Sequence, residues 1–180
     1  MASSSTGLKT LLAAILLVIA FPSLAEYSAG TAGGEHGAYR SSGCNSDEWP
    51  VGLKIAGGTY VHNVAIMCAM KSNLRDIRTE NVVTTYSMVD FLAGNRREET
   101  KFCPRGYVLA GIKVQSGSYV DRVNSMRCQR ISDSRLTYQA VGIGGRGGST
   151  TRMYCRRGDT VSGIRVRSGQ WVDQMTVYCD

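Results

Sequence analysis

An internal threefold repeat limits the folds open to this chain more than any other feature. The stretches GLKIAGGTYVHNVAIMC, GIKVQSGSYVDRVNSMRC and GIRVRSGQWVDQMTVYC begin at Gly52, Gly111 and Gly163. A unit that recurs in this way marks one structural module, and several such modules bury a core together that none could bury alone. We therefore predict three equivalent modules, over about residues 31–70, 92–130 and 142–180.

Within each module, apolar and polar residues alternate with the period of a β-strand. In the first module Leu53 and Ile55 flank Lys54, and a glycine-containing turn then leads into a second alternating run. This pattern predicts a β-hairpin with one buried face in every module. The segment Thr84–Gly94 fits either a short helix or a strand. The resulting prediction is an all-β fold with pseudo-threefold symmetry.

The N-terminal segment has the features of a secretory signal peptide. Lys9 precedes the apolar run Leu11–Phe21, which is too short to span a membrane. Ala25 is a small residue at the position that a signal peptidase would recognise. We predict a signal peptide over residues 1–25, a single mature domain over residues 26–180, secretion to the extracellular space and no integral membrane association.

All six cysteines follow this leader, and an even number in an exported chain favours disulfides over metal or thiol chemistry. Bridges within each module are the simplest pairing, although a bridge between modules, such as Cys68–Cys103, stays open. The expected pairs are Cys44–Cys68, Cys103–Cys128 and Cys155–Cys179.

The formal net charge of +7 favours weak attraction to acidic partners such as sulfated or sialylated glycans. The basic residues are scattered rather than concentrated on one predicted helix, so we expect no nucleic-acid partner. One alternative function follows from the outward positions of the hairpins: a sulfated polysaccharide could bind to Lys54, Lys113, Arg165 and Arg167.

The sequence contains little that an enzyme would need. His36 and His62 are the two histidines, and neither G-x-S-x-G nor H-E-x-x-H occurs, so we predict no catalytic residues, no metal and no cofactor. The segment Gly142–Gly147 has the spacing of a dinucleotide loop, but no helical pattern follows it. The tripeptide Arg157–Asp159 reads RGD, and its Arg-Gly pair also recurs in the second module, which indicates a repeated turn.

The segment GGRGGSTTRMYCRRGDTVSGIRVRSGQWVDQMTVYC resembles the last third of a jacalin-related lectin. The resemblance rests on a GG loop combined with a Gly-x-x-x-Asp loop, and it covers the cores of the three modules. It implies a β-prism of three Greek-key sheets. A cysteine pair in every module is similar to the arrangement in the vitelline membrane outer layer protein, another secreted, disulfide-linked β-prism.

In jacalin-related lectins, the Asp of one Gly-x-x-x-Asp loop and the backbone of a GG loop from the next module hold one monosaccharide. Carried onto this sequence, Asp121 pairs with the glycines at 144 and 145, and Asp173 pairs with those at 33 and 34. The carbohydrate-binding residues that the resemblance implies are Gly33, Gly34, Gly117, Ser118, Tyr119, Asp121, Gly144, Gly145, Gly169, Gln170, Trp171 and Asp173.

The first module departs from this pattern at both halves of its site. His62 replaces the Asp, and Asn95 replaces the second glycine of the GG loop. We therefore expect two sugar sites rather than three. An alternative stays open, in which the glycines only form hairpin turns and the Asp residues only cap them. The equivalent aromatic residues Tyr60, Tyr119 and Trp171 stack on sugar if they are exposed and belong to the core if they are buried.

The function expected from these features is that of a secreted, non-enzymatic carbohydrate-binding protein of the jacalin type. Its partners would be glycans or glycoconjugates, including anionic ones, and assembly into a homo-oligomer is left open. A structural matrix or coat protein is the second alternative, beside the sulfated-polysaccharide binder.

Overall fold

Twelve β-strands make up most of the chain that the structure describes. The computed structural model describes residues 25–72, 82–84 and 97–180. Within those ranges no helix has the length and apolar character needed to cross a membrane. The strands are β1 (Tyr27–Gly33), β2 (Ala38–Gly43), β3 (Glu48–Gly57), β4 (Val61–Met70), β5 (Val82–Thr84), β6 (Arg97–Phe102), β7 (Tyr107–Ser116), β8 (Val120–Arg130), β9 (Leu136–Gly144), β10 (Ser149–Tyr154), β11 (Val161–Ser168) and β12 (Val172–Cys179).

The strands form three antiparallel sheets of four strands each. Sheet 1 has the order β1-β12-β11-β2, sheet 2 the order β5-β4-β3-β6, and sheet 3 the order β10-β7-β8-β9. At the centre of each sheet lies one predicted hairpin: β11-β12, β3-β4 or β7-β8. The prediction of an all-β fold with three Greek-key sheets is confirmed.

No sheet is built from a single module. Each central hairpin is flanked by the two strands that follow it in the chain, and the ring closes because β1 and β2 from the start of the chain flank β12 and β11 from its end. This exchange closes the ring of modules. It also places the GG loop of one module beside the Gly-x-x-x-Asp loop of the module before it. The module limits themselves, and the mature domain over residues 26–180, stay predictions.

The buried faces of the three sheets meet in one core. The alternating apolar residues are at most 1% exposed, whereas the intervening Lys54 and Lys113 are half-buried and Arg165 is exposed. A fully buried aliphatic side chain of this size stabilises the fold by about 1.5–3 kcal/mol relative to an exposed one. The predicted strand faces are confirmed by the burial of Leu53, Ile55, Ile112, Val114, Ile164 and Val166.

Each module contains one disulfide, at its end away from the hairpin turn. The pairs are Cys44–Cys68, Cys103–Cys128 and Cys155–Cys179, with Cα–Cα distances of 5.6–5.7 Å. The alternative Cys68–Cys103 bridge is therefore absent. In the chain-entropy model, closing a loop of this length stabilises the fold by about 3 kcal/mol. The predicted signal peptide, apart from Ala25, and most of the ambiguous segment Thr84–Gly94 lie outside the described residues.

Candidate functional site

The three central hairpins end in turns of the same geometry. In each turn the glycine N–H donates to the carbonyl oxygen two residues later, at 2.9 Å for Gly58, 3.0 Å for Gly117 and 3.1 Å for Gly169. Because the hairpins occupy equivalent places in the three sheets, their turns lie together at one end of the fold. We call this the turn end.

The aromatic residues of the three turns pack on one another. The ring centroids of Tyr60, Tyr119 and Trp171 are 5.1–5.2 Å apart in every pairing, at inclined angles. Tilted aromatic pairs at such distances are attractive beyond their buried area. All three rings are half-buried. They join the three sheets at the turn end, so one face or edge of each ring is in contact with the neighbouring rings.

Asp121, at the start of β8, lies beneath the loop of residues 144–148. Its side chain is 8% exposed, and its backbone oxygen accepts a 2.9 Å hydrogen bond from the Gly145 N–H. A Cβ added at Gly148 would lie 2.6 Å from Oδ2 of Asp121, so the loop passes directly over the carboxylate. Among the described residues, Oδ2 of Asp121 has no hydrogen-bond partner. We call this arrangement the Asp121 site.

Asp173, at the start of β12, has the same relation to the loop of residues 33–37. It is 6% exposed, and its backbone oxygen accepts a 2.8 Å hydrogen bond from the Gly34 N–H. A Cβ at Gly37 would again lie 2.6 Å from the carboxylate oxygen Oδ2. Here, however, Oδ2 accepts a 3.0 Å hydrogen bond from the N–H of Gly169 in its own hairpin turn. We call this arrangement the Asp173 site.

The residues predicted for each site therefore come together as expected. Gly33 and Gly144 both have positive φ, at 99° and 107°, and each lies against the backbone of its Asp, where a side chain would overlap. Ser118 and Gln170 are exposed at the tips of their turns. Whether these residues bind sugar stays a prediction.

Sequence reasoning missed Gly37 and Gly148, although the loops pass over the two carboxylates at these residues. Both have positive φ, at 85° and 64°, and both would clash with Asp Oδ2 if they carried a Cβ. A signal was present, because the ungapped alignment of the first and third modules superposes these two glycines.

Two arginines that the site prediction omitted hold the loops. Arg122 donates from Nη1 to the Gly145 carbonyl oxygen at 3.3 Å. Arg167 donates from Nη1 to the carbonyl oxygen of Glu35 and lies over the ring of Tyr39. The expectation that Arg167 is a simple outward-facing cation was wrong, because its Nε is buried and its guanidinium is part of the loop structure.

The hairpin turns do not explain why glycine occupies positions 117 and 169. Neither residue has positive φ, so the backbone there is open to other amino acids. A Cβ would meet a single atom within 4 Å, the Oδ2 of Asp121 or of Asp173, at 3.9 Å in each case. What glycine provides at both positions is space next to the carboxylate.

The third equivalent position is closed by a side chain. The Nδ1 atom of His62 lies 3.1 Å from the carbonyl oxygen of Gln170 in the neighbouring turn. The corresponding carbonyls of Ser118 and Thr59 are approached instead by the loop glycines Gly34 and Gly145. Asn95, the other residue that departs from the pattern, lies outside the described residues.

The residues considered for other chemistry do not form a second site. Where the structure describes the chain, one group of side chains is close enough to share a metal ion: Cys44, Cys68 and Glu48. The two cysteines are joined in a disulfide, so their thiolates are not available as ligands. Glu35, His36 and His62 form no such group among these residues.

The four cations proposed to bind sulfated polysaccharide lie on three different sheets. Lys54 on sheet 2 forms a 2.8 Å ion pair with Glu98, and Arg165 on sheet 1 stacks over Tyr178. Lys113 belongs to sheet 3. These residues do not form one continuous basic face.

Comparisons with known proteins identify the fold. No known sequence family and no curated protein matches the chain. Malaysian banana lectin F84T matches in structure with a TM-score of 0.59 and 14% identity over 86% of this chain and 97% of that one. Artocarpin, described as a lectin with mannose specificity, matches with a TM-score of 0.59 and 10% identity over 86% and 97%. Frutapin, a lectin from Artocarpus incisa, matches with a TM-score of 0.58 and 11% identity over 85% and 95%. The chain has the β-prism fold of jacalin-related lectins.

Proposed function

We propose that this protein is a secreted, non-enzymatic carbohydrate-binding protein that holds sugar at the Asp121 site and at the Asp173 site. The observation that carries the proposal is the carboxylate of Asp121, which is buried beneath a glycine loop with one oxygen unpartnered among the described residues. A buried acceptor left without a partner costs about 1–3 kcal/mol. A ligand that supplies a hydroxyl donor at this point recovers that cost.

The geometry suits a sugar hydroxyl in particular. A carboxylate accepts up to about four hydrogen bonds, and bonds to a charged acceptor are about twice as strong as bonds between neutral groups. The space kept by Gly117 lies beside Oδ2 of Asp121, and the exposed residue Ser118 is next to it in the turn. Two adjacent hydroxyls of one pyranose ring match a carboxylate flanked by loop backbone.

Mannose is the first sugar to test, since artocarpin is known as a lectin with mannose specificity and in complex with methyl-α-mannose. A related lectin from champedak is also described as mannose-binding.

A glycan array read at two salt concentrations tests the proposal. We expect binding to neutral glycans that changes little with salt, because the bonds at these sites are short-range and partly buried. The double variant Asp121→Asn/Asp173→Asn should lose this signal. A variant at the exposed Asp133, Asp133→Asn, makes a charge change of the same kind elsewhere and should keep it.

Two other results would contradict the proposal. Silence across the array for a folded protein would favour a structural matrix or coat role. Neutral-glycan binding that survives in the double variant would show that the two carboxylates are turn caps and that sugar is bound elsewhere.

A further inference from the structure

A groove of about 580 Å³ lies between sheets 2 and 3 at the end of the fold opposite the turn end. The hairpins β3-β4 and β7-β8 open at this end, where Glu48 pairs with Met70 and Tyr107 pairs with Arg130. Strands of this length separate the two ends by about 30 Å. The groove is therefore distinct from both candidate sugar sites. Its volume falls in the usual range for small-ligand sites, about 300–1,000 Å³.

Three cations from two sheets line this groove. Lys71 follows β4, Arg105 precedes β7, and Arg130 ends β8. The ammonium of Lys71 donates to the Ser46 carbonyl oxygen at 2.6 Å, which uses one of its three N–H groups. No acidic residue is among the described residues that line the groove, although Asp133 lies 3.4 Å from Nη1 of Arg130 at its margin.

Aromatic rings fix two of these cations in place. Lys71 Nζ lies 4.7 Å from the centroid of the Trp49 ring, and the Arg130 guanidinium lies 5.5 Å from that of Tyr107. Nε of Arg130 also donates to the Tyr107 hydroxyl oxygen at 3.2 Å. This hydrogen bond raises the pKa of Arg130, and the guanidinium is charged at neutral pH in any case. Positioned cations lose less side-chain entropy when they bind an anion.

The groove also offers apolar surface. Ile131 is 41% exposed at its edge, and Trp49 and Tyr107 contribute their rings to its wall. Carbon-bearing faces of pyranose rings pack on surface of this kind. The combination of fixed cations with apolar walls fits a ligand that carries both anionic groups and sugar rings, rather than a bare inorganic ion.

The neighbouring groove between sheets 1 and 2 provides a contrast. It has a volume of about 130 Å³, and Glu48 and Asp180 are among the residues that line it with Lys71. The larger volume and a lining without acidic side chains, among the described residues, thus occur together at the groove between sheets 2 and 3.

We propose that this groove binds a segment of a sulfated glycan, with the sulfate groups contacting Lys71, Arg105 and Arg130. The resulting protein would have a neutral-sugar end and an anionic-glycan end. A sulfated chain bound at one end would leave both carboxylate sites open to a second glycan.

The test is calorimetry with a heparin tetrasaccharide and its desulfated counterpart at low and high salt. We expect binding of the sulfated probe alone, weakening as salt rises. The variant Lys71→Gln/Arg105→Gln should reduce its affinity at least about tenfold, since hydrogen bonds between charged groups are among the stronger ones. The matched control Lys113→Gln/Arg165→Gln removes the same charge from the outer faces of sheets 3 and 1 and should change affinity less than about twofold.

A second variant distinguishes a loss of binding from a loss of folding. Ser132→Glu places a negative charge on an exposed lining residue without removing an existing contact, and it should also weaken binding of the sulfated probe. Equal losses in the groove variant and in the matched control would overturn the proposal, because they would show general charge attraction. Equal binding of the desulfated probe would overturn it too. The Asp121→Asn/Asp173→Asn variant should bind the sulfated probe normally, so failure of the neutral-sugar proposal is distinguishable from failure of this one.

Discussion

The Asp121 and Asp173 sites have the same backbone design and differ in what the carboxylate does. In both, a glycine loop crosses over the Asp and binds its carbonyl oxygen through one N–H. Oδ2 of Asp173 is bonded to the Gly169 N–H of its own turn, whereas Oδ2 of Asp121 has no partner in the described part of the chain. One carboxylate is partly used by the protein, and under the proposed function the other accepts its hydrogen bond from the ligand.

This difference predicts two sites of unequal strength. A sugar hydroxyl at Asp121 meets an acceptor that is already desolvated and unpaired, whereas at Asp173 it must share an oxygen with Gly169. The turn-cap interpretation and the sugar-site interpretation are therefore not exclusive. Asp173 supports the first directly, and Oδ2 of Asp121 has no hydrogen-bond partner among the described residues. We expect Asp121 to be the tighter site.

The largest effect should follow from Asp121→Asn, measured as binding to a surface coated with many copies of the sugar. The amide replaces an acceptor oxygen with a donor, so the tighter of the two sites is lost. The protein then attaches to the surface through one site instead of two. Loss of avidity of this kind lowers apparent affinity by about a hundredfold. Asp173→Asn should cause a smaller loss in the same surface-binding assay. A larger loss for Asp173→Asn would reverse the ranking of the two sites.

Next in size is the effect of filling the space beside the carboxylate. Gly117→Ala places a methyl group 3.9 Å from Oδ2 of Asp121, where the sugar hydroxyl would enter. Monosaccharide affinity at this site, followed by NMR titration, should fall about tenfold, as expected for one lost hydrogen bond to a charged group. Thermal stability should be unchanged because φ is not positive there.

Gly58→Ala is the matched control for this substitution. Gly58 occupies the same turn position in the module that carries His62, and a Cβ there would have no neighbour within 4 Å among the described residues. Sugar affinity and stability should both be unchanged. If the two alanine variants behave alike, the space beside Asp121 has no role in binding.

A smaller effect should distinguish Asp121 from Asp173 in the absence of sugar: their alanine variants should differ in the free energy of unfolding. Asp173→Ala removes one of the two acceptors of the Gly169 N–H and should lower the free energy of unfolding by about 1 kcal/mol. Asp121→Ala removes a buried, unpartnered carboxylate oxygen and should lower it less, or raise it. Urea denaturation measures both. Equal destabilisation would mean that Asp121 has a structural partner of its own.

The smallest effect is expected for His62→Ala. Its ring bonds the Gln170 carbonyl in the third position, where His62 stands in place of the Asp. Sugar affinity at both sites should stay within about twofold, with a loss of stability of about 0.5–1 kcal/mol from the missing hydrogen bond. Abolished sugar binding in this variant would contradict the assignment of the third position as closed.

The repeat predicted much of the fold because its consequences are local. The alternation of Ile164 and Val166 with Arg165 determines which strand face is buried, and the position of a cysteine pair in every module favours bridges within modules. The exchange of outer strands between modules was not visible in this pattern, since pairing between distant strands depends on the closed ring.

The candidate site was predictable in its members but not in its asymmetry. The residue types around Asp121 and Asp173 are nearly the same, so nothing in the sequence distinguishes a carboxylate bonded to Gly169 from one without a partner. The role of Arg167 was not predictable either. Its place in the alternating pattern predicts an outward-facing side chain, and the pattern contains no information about the loop to which this side chain donates a hydrogen bond. The cation-lined groove combines residues from sheets 2 and 3 and has no contiguous motif.

The central claim is that two carboxylate-and-loop sites bind sugar, and calorimetry with a soluble monosaccharide tests it most directly. The wild-type protein should bind two equivalents, Asp121→Asn and Asp173→Asn one each, and the folded double variant none. The equivalent lost in Asp121→Asn should be the tighter one. Unchanged binding by the double variant would contradict the claim, and so would three equivalents for the wild-type protein.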